Sequence, residues 1–501
     1  CIRDRVGGMC VYGVRMCVAW LVCEHMPWVT GLLVCGGSPV RLRDKWPLLC
    51  TRMALARQAA YEVVECVRQS RHTRYPRPYE QAILRCAQQA RKALDTSDDT
   101  VARYASNVTY VLRMLCDERF LVFRYTDVPA SWRRLHVDAI LVRVCAAIAG
   151  APVPWCECIA DLDQALIISG APEREACVHA LIAHTQALVS ETAEAHATQC
   201  SGTHKRRRCI PANIDTASTT HGTHVYTRNP ALKVHAPAVP IPERPAPTIQ
   251  GFLASCPPAA EHGCPFIVRG YARDWPARRR WHDDEYLRER AGPCRVVPVE
   301  KGASYTDADW GQTLMPWALF LDQIQWGRLT KDTPPPLYLA QHTLMQQFPW
   351  VAEDLRTPDY VYACPTGGTV REPVTSVWIG PANTVSPAHT DPYYNCYVQV
   401  VGCKEVWIAP PDADPNAMRA YDDNEADLFL AMMHNTSHVD VFGELTPRFR
   451  EAVESRAMRA ELAEGDLLFL PPRWWHSMRS KTQSFSAVSY THLTLPTICS
   501  V

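Results

Sequence analysis

Glycine is absent from Met53 to Ala149, while Ala, Arg, Leu, Gln and Glu recur through the same stretch. So long a run without the residue that most easily turns a chain, rich in strong helix formers, favours packed helices over strands. Asp98 and Asp99 precede Val101, Tyr104, Ala105, Val108, Leu112 and Leu115. That i, i+3, i+4, i+7 stripe behind an acidic first turn predicts an amphipathic helix. Similar stripes run to about Ala195, so residues 53–195 are expected to form an all-α domain, a packed helical module without chemistry of its own.

The texture changes twice more. Residues 196–247 hold seven prolines, several Ser and Thr, and the basic run Lys205-Arg206-Arg207-Arg208, which reads as a Pro-rich linker carrying a nuclear import signal or a solvated charge run. From Ile249 onward, short apolar runs alternate with Gly and Pro: Val296 to Val299, Thr375 to Ile379, Tyr397 to Val401, Glu405 to Ile408, Leu467 to Leu470 and Ser484 to Tyr490. Regularly punctuated short strands predict a barrel or sandwich, with an occasional helix such as Pro316 to Gln325. The expected fold class is therefore α+β. Residues 1–52, with six cysteines and no sustained period, read as an atypical segment, either a translated leader or an incomplete gene model, with Met53 or an earlier Met as the expected start, and 491–501 read as an atypical tail.

Composition excludes several function classes. Lys+Arg and Asp+Glu both number 52, so attraction to nucleic acid would need a local patch, and no nucleic-acid motif is seen. The apolar run Met16 to Cys23 is cut by Glu24 and His25, well short of the roughly 20 residues of a spanning helix, so no membrane role is expected. The 22 cysteines are scattered without paired C-x-x-C spacing and read as reduced intracellular thiols.

The chemistry concentrates in His389-Thr390-Asp391. Residues i and i+2 of a strand face the same side, so an imidazole and a carboxylate at that spacing can converge on one ion. A third ligand is offered by the block Gly465 to His476, a turn, an apolar strand and a bend that end in a histidine. Two imidazoles and one carboxylate make the facial triad of non-haem Fe(II) oxygenases, with positions open for a co-substrate and O2. Lys404 follows a strand at a distance suited to binding an anion, and Thr384, Ser386 and Asn395 interrupt otherwise apolar strands. Buried polar groups need partners, which a dicarboxylate would supply.

Trp378-Ile379-Gly380-Pro381, Ser386 to Pro392, Asn395, Gln399-Val400, Gly402-Cys403-Lys404 and the Gly465 to His476 block closely resemble jumonji C (JmjC) domains. Val297 to Glu300, Tyr305-Thr306-Asp307, Trp310, Tyr338 to His342, Pro358-Asp359-Tyr360 and His434 to Ser437 resemble the lysine-specific demethylase 8 branch, over about 248–490. The resemblance implies a double-stranded β-helix, a jelly-roll or cupin-like barrel. It also implies Fe(II), 2-oxoglutarate as co-substrate and O2, a nuclear and also cytoplasmic setting, and a protein or peptide substrate with a cationic side chain, histone or chromatin-associated chains among them. By position, His389, Asp391 and His476 look like the iron ligands. Lys404 looks like the cation for the distal carboxylate of 2-oxoglutarate, with Tyr338, Ser386 and Asn395 assisting and Gln341 and Trp378 lining the pocket. Glu300, Tyr305 and Trp310 fall on the substrate side, where a carboxylate between aromatics suits a cation.

The sequence departs from that pattern after Tyr490, where Thr491-His492-Leu493 replaces the closing aromatic pair, so that either foreign sequence follows or the pocket lacks an aromatic wall. The expected activity is arginine hydroxylation, with methyl-lysine demethylation as the alternative. A non-catalytic chromatin-binding module would be expected to have lost a ligand or the lysine, and none is lost.

Overall fold

The computed structural model describes residues 39–69, 75–123, 125–200, 239–255, 263–302, 304, 310–324, 336–364, 373–418 and 435–490. The import-signal run Lys205 to Arg208, Tyr305, and residues 491–501 lie outside the described residues. The chain divides into two compact units: Cys1–Thr220 with Gly292–Val296 and Ser500–Val501, and His221–Ala291 with Val297–Cys499.

The first unit is helical: α1 (Pro39–Arg68), α2 (Arg77–Thr96), α3 (Asp99–Phe120), α4 (Ala130–Ile148), α5 (Trp155–Ser169) and α6 (Glu175–Cys200). Helix α3 starts where the acidic turn predicts, because the Asp98 carboxylate caps it by accepting from the N–H groups of Thr100 and Val101 at 2.9 and 3.3 Å. Its buried face, however, is Ala102, Ala105, Ser106, Thr109, Leu112 and Cys116. Tyr104 from the expected stripe is 54% exposed. Ala105 and Leu112 of the expected stripe are buried and Val101 and Val108 pack against the same core, so the face is turned only far enough to add Ala102, Ser106, Thr109 and Cys116. Helix α4 is buried from Arg134 to Ile148, which explains why it shows no polar stripe at all. Cys156 and Cys294 are disulfide-bonded, against the expectation of reduced thiols; the pairing depends on tertiary proximity that spacing does not encode.

The second unit carries β1 (Val239–Pro240), β2 (Phe266–Val268), β3 (Val296–Lys301), β4 (Gly311–Pro316), β5 (Leu337–His342), β6 (Val374–Gly380), β7 (Val385–Thr390), β8 (Asn395–Val401), β9 (Lys404–Ala409), β10 (Met458–Leu462), β11 (Leu467–Leu470), β12 (Trp475–Ser480) and β13 (Ser484–Tyr490). They form two sheets, ordered β1-β10-β9-β12-β7 and β2-β11-β8-β13-β6-β5-β3-β4. Strand β1 pairs with β10 in parallel, whereas the strand pairs that surround the site are antiparallel, giving the α+β jelly-roll architecture that the short apolar runs imply. The helix expected near Pro316 runs Trp317–Gln323 behind that proline. Between the sheets lies a core that includes Tyr397, Val406, Ile408, Leu468 and Val488.

Two glycines are required by this geometry. Gly402, in the turn from β8 to β9, has φ of 76°, and a Cβ there would fall 1.9 Å from the Gln483 carbonyl oxygen. A Cβ on Gly380 would sit 2.5 Å from the Tyr338 ring. Only glycine lets those neighbours approach. Among the described residues, no helix is long and apolar enough to cross a membrane.

Candidate metal centre

Strands β7 and β12 pair so that His389 and His476 stand opposite one another. Asp391 follows immediately after β7 ends at Thr390, so the H-x-D spacing works across a strand end and not within a strand. One ligand atom from each of His389, Asp391 and His476 lies within 4.8 Å of the others. The His476 Nε2 is 3.6 Å from Asp391 Oδ2, and the two imidazole centroids are 4.2 Å apart.

The backbone prepares both rings for a cation. His389 Nδ1 lies 2.8 Å from the Pro387 carbonyl oxygen and His476 Nδ1 lies 2.9 Å from that of Trp474. A carbonyl oxygen only accepts, so each Nδ1 is the donor in that bond, which leaves Nε2 as the ligand atom each ring can offer. Burial, with His389 beside it, pushes the His476 imidazole down to about 4, which holds it neutral as a metal ligand must be. Asn395 Nδ2 donates to Asp391 Oδ2 at 2.7 Å, fixing the carboxylate. Thr390 N–H donates to the Asn435 carbonyl at 2.9 Å, Asn435 Nδ2 donates to Thr390 O at 2.9 Å, and Thr436 bridges His389. These residues fit a divalent iron with open positions.

Strand β9, which pairs with β12, begins with a buried cation that fits an anion. Lys404 is 2% exposed, and its Nζ donates to the Tyr338 hydroxyl at 3.1 Å. Among the described residues no carboxylate pairs with it, and burial pushes the ammonium down to about 7. A buried cation without a counter-ion is costly, and an anionic ligand removes that cost. Ser386 hydrogen-bonds to the Tyr338 hydroxyl. Along β8, Asn395, Tyr397 and Gln399 share one face, and the Tyr397 hydroxyl donates to Gln399 Oε1 at 2.9 Å, while Gln399 Nε2 donates to Ser484 Oγ at 2.9 Å. Sequence reasoning placed only Asn395 of this row in the site, although the alternation of polar residues at i, i+2 and i+4 in an apolar strand was the available signal.

The other expected site residues are distributed as follows. Trp378 packs against the cluster holding Tyr397, Met478 and Tyr490. Gln341 occupies the irregularity of β5 between Leu339 and His342, with φ of 49°. Such a bulge re-aims a side chain, and positive φ in a non-glycine residue is a strained conformation held by its surroundings. Glu300 is the cross-strand partner of Tyr338. Burial pushes its carboxyl up to about 7, against hydrogen bonds with Trp310 and Gln312. At the far end of β13, Tyr490 stacks on Tyr393 with ring centroids 5.5 Å apart; the departure from the family pattern at Thr491 lies outside the described residues.

A family model described as Cupin-like domain matches residues 259–495. Lysine-specific demethylase JMJ30 of Arabidopsis thaliana is 36% identical over 225 residues, 45% of this chain and 49% of that protein. Lysine-specific demethylase 8 of Danio rerio is 29% identical over 373 residues, 74% of this chain and 83% of that protein. The human bifunctional peptidase and (3S)-lysyl hydroxylase JMJD7 is 26% identical over 45% of this chain and 76% of its own length. The chain spans about half the length of several curated relatives it matches, between 46% and 58%. With a jelly-roll that holds two histidines and an aspartate together, residues 259–495 carry a cupin-like domain similar to the JmjC oxygenases of the lysine-specific demethylase 8 branch.

Proposed function

We propose that this chain is an Fe(II)- and 2-oxoglutarate-dependent protein oxygenase that hydroxylates an arginine side chain. His389, Asp391 and His476 would hold the iron, and Lys404, with Tyr338 and Ser386, would hold the distal carboxylate of 2-oxoglutarate. Iron, 2-oxoglutarate and O2 together supply an oxidant strong enough to put oxygen into an unactivated C–H bond. The protein's share is placement: whichever carbon it holds near the metal is the one oxidised. On an N-methyl carbon, hydroxylation gives a hemiaminal that breaks to release that methyl as formaldehyde; on a side-chain carbon not bonded to nitrogen it leaves an alcohol.

The observation that carries the arginine reading is Glu300. It is the cross-strand partner of the tyrosine that contacts Lys404, and it interacts electrostatically with that tyrosine. Its carboxyl, raised to about 7, has hydrogen bonds with Trp310 and Gln312 and is not satisfied as an anion by them alone. A guanidinium offers the missing charge and two parallel N–H donors, and the indole of Trp310 offers a flat face to stack on. Lysine demethylation stays as the second reading because relatives carry that name. A protein substrate from histones or other chromatin chains, and nuclear residence driven by Lys205 to Arg208, belong to the same proposal. The test is mass spectrometry of arginine and methyl-lysine peptides incubated with the enzyme: gain of one oxygen on arginine supports it, and loss of methyl groups with arginine untouched overturns it.

A further inference from the structure

Helices α1 and α6 each bring a cysteine to one polar cluster in the helical unit. Cys66 lies two residues before the end of α1, and Cys177 lies in the first turn of α6. Arg174 Nη1 donates to Cys66 Sγ at 3.0 Å and Nη2 to the Cys66 carbonyl at 3.3 Å. On its other side, Arg174 Nε donates to Asp138 Oδ1 at 2.9 Å, and Asp138 Oδ2 accepts from the Tyr75 hydroxyl at 2.6 Å. Tyr75, Asp138 and Arg174 are buried, so the guanidinium is clamped against the sulfur. Both cysteines are only partly buried and neither is disulfide-bonded.

The two sulfurs differ in role. Cys177 hydrogen-bonds with Cys66, and burial together with the neighbouring sulfur pushes the Cys177 thiol up to about 11. Cys177 therefore keeps its proton. Cys66 is the one whose sulfur accepts a hydrogen bond from the fixed guanidinium, and that contact marks it as the nucleophile. Cys86 and Cys116 make the contrast: both are fully buried in the apolar core, and burial pushes them up to about 11 and about 12.

We infer that Cys66 is a site of reversible oxidation by a hydroperoxide, and that it closes to a disulfide with Cys177. The Cys66 thiolate attacks one oxygen of hydrogen peroxide; an S–O bond forms, the O–O bond breaks, and the leaving hydroxide takes a proton to become water. Sulfur is oxidised to sulfenic acid and peroxide is reduced. The Cys177 sulfur then attacks the sulfenic sulfur, forming S–S and breaking S–O, and the departing hydroxide leaves with the Cys177 proton as a second water. Two thiols and one peroxide give one disulfide and two waters. A dithiol reductant reverses the bond by exchange.

The experiment treats the full chain with graded hydrogen peroxide, alkylates the remaining thiols and maps linked peptides by mass spectrometry. The expected result is a Cys66–Cys177 linked peptide, lost on reduction, forming at a rate at least about tenfold above oxidation of the exposed Cys264. In Cys177→Ser, which changes one atom and keeps the fold, Cys66 should instead accumulate as a sulfenic acid trapped by dimedone. Oxidation of Cys264 ahead of Cys66, or no dimedone adduct on Cys66 in Cys177→Ser, would overturn the assignment.

Discussion

His389 on β7 and His476 on β12 are cross-strand partners, directly opposite in an antiparallel ladder, with ring centroids 4.2 Å apart. A slip of one residue in that register would send one of the rings to the opposite face, so the pairing of two strands whose histidines lie 87 residues apart in sequence sets the geometry of the candidate ligands. His476→Ala and Asp391→Ala should each abolish Fe(II)-dependent succinate formation. An open catalytic site is not the main source of stability, so the melting temperature of the metal-free protein should move little. Undiminished turnover in purified His476→Ala contradicts the ligand assignment.

Lys404 predicts a proton linkage. Its ammonium is pushed down to about 7 in the free protein, and a bound dicarboxylate favours the charged form. Between about pH 7 and the ordinary lysine range, binding of 2-oxoglutarate must therefore take up a proton, and its affinity should fall as pH rises through that window. Calorimetry in buffers of different ionisation enthalpy measures the uptake. Lys404→Ala should raise the 2-oxoglutarate requirement at least tenfold, since a charge-assisted hydrogen bond contributes about 1.5–3 kcal/mol. An unchanged requirement would place the anion elsewhere.

Much of this site is legible in the amino-acid sequence, for physical reasons that differ by residue. His389, Asp391 and Lys404 are polar residues in or beside apolar strands, a pattern that needs a partner to be tolerated. Asn395 is legible as a site residue but not as the group that fixes Asp391, because the two lie at a strand end and a strand start whose approach depends on the turn between them. The buried face of α3 differs from the expected stripe since Ala, Ser and Thr carry little hydrophobic signal yet permit close helix contact. The clamp by Asn435 and Thr436 is a loop returning from far along the chain, and no local period announces it.

Gly402 predicts a stability effect coupled to the site. Its φ of 76°, and the 1.9 Å that would separate a Cβ from Gln483 O, make any side chain both strained and obstructed. Gly402→Ala should destabilise the barrel by at least about 1–3 kcal/mol, the cost of backbone strain alone. A denaturant midpoint equal to that of the parent would show that the turn relaxes freely.

The basic run Lys205 to Arg208 gives a cellular prediction. Replacing the four cations with Ala should shift a fluorescent fusion from nucleus to cytoplasm. Unaltered nuclear accumulation would leave the run as a solvated stretch of linker.

The most direct measurement is the pH dependence of arginine-peptide oxidation with Glu300 intact and replaced. The free carboxyl sits near 7, raised mainly by burial, and must lose its proton to pair with a guanidinium. The KM for the peptide should therefore rise as pH falls below about 7, approaching tenfold per unit. Glu300→Gln should raise KM above about pH 7, converge with the parent as pH falls below it, and abolish this dependence, while uncoupled 2-oxoglutarate turnover persists. The parent enzyme is predicted to add one oxygen to an unmethylated arginine peptide with this pH profile. Methyl loss from lysine peptides with arginine peptides unchanged, or an arginine reaction indifferent to Glu300→Gln, would contradict it.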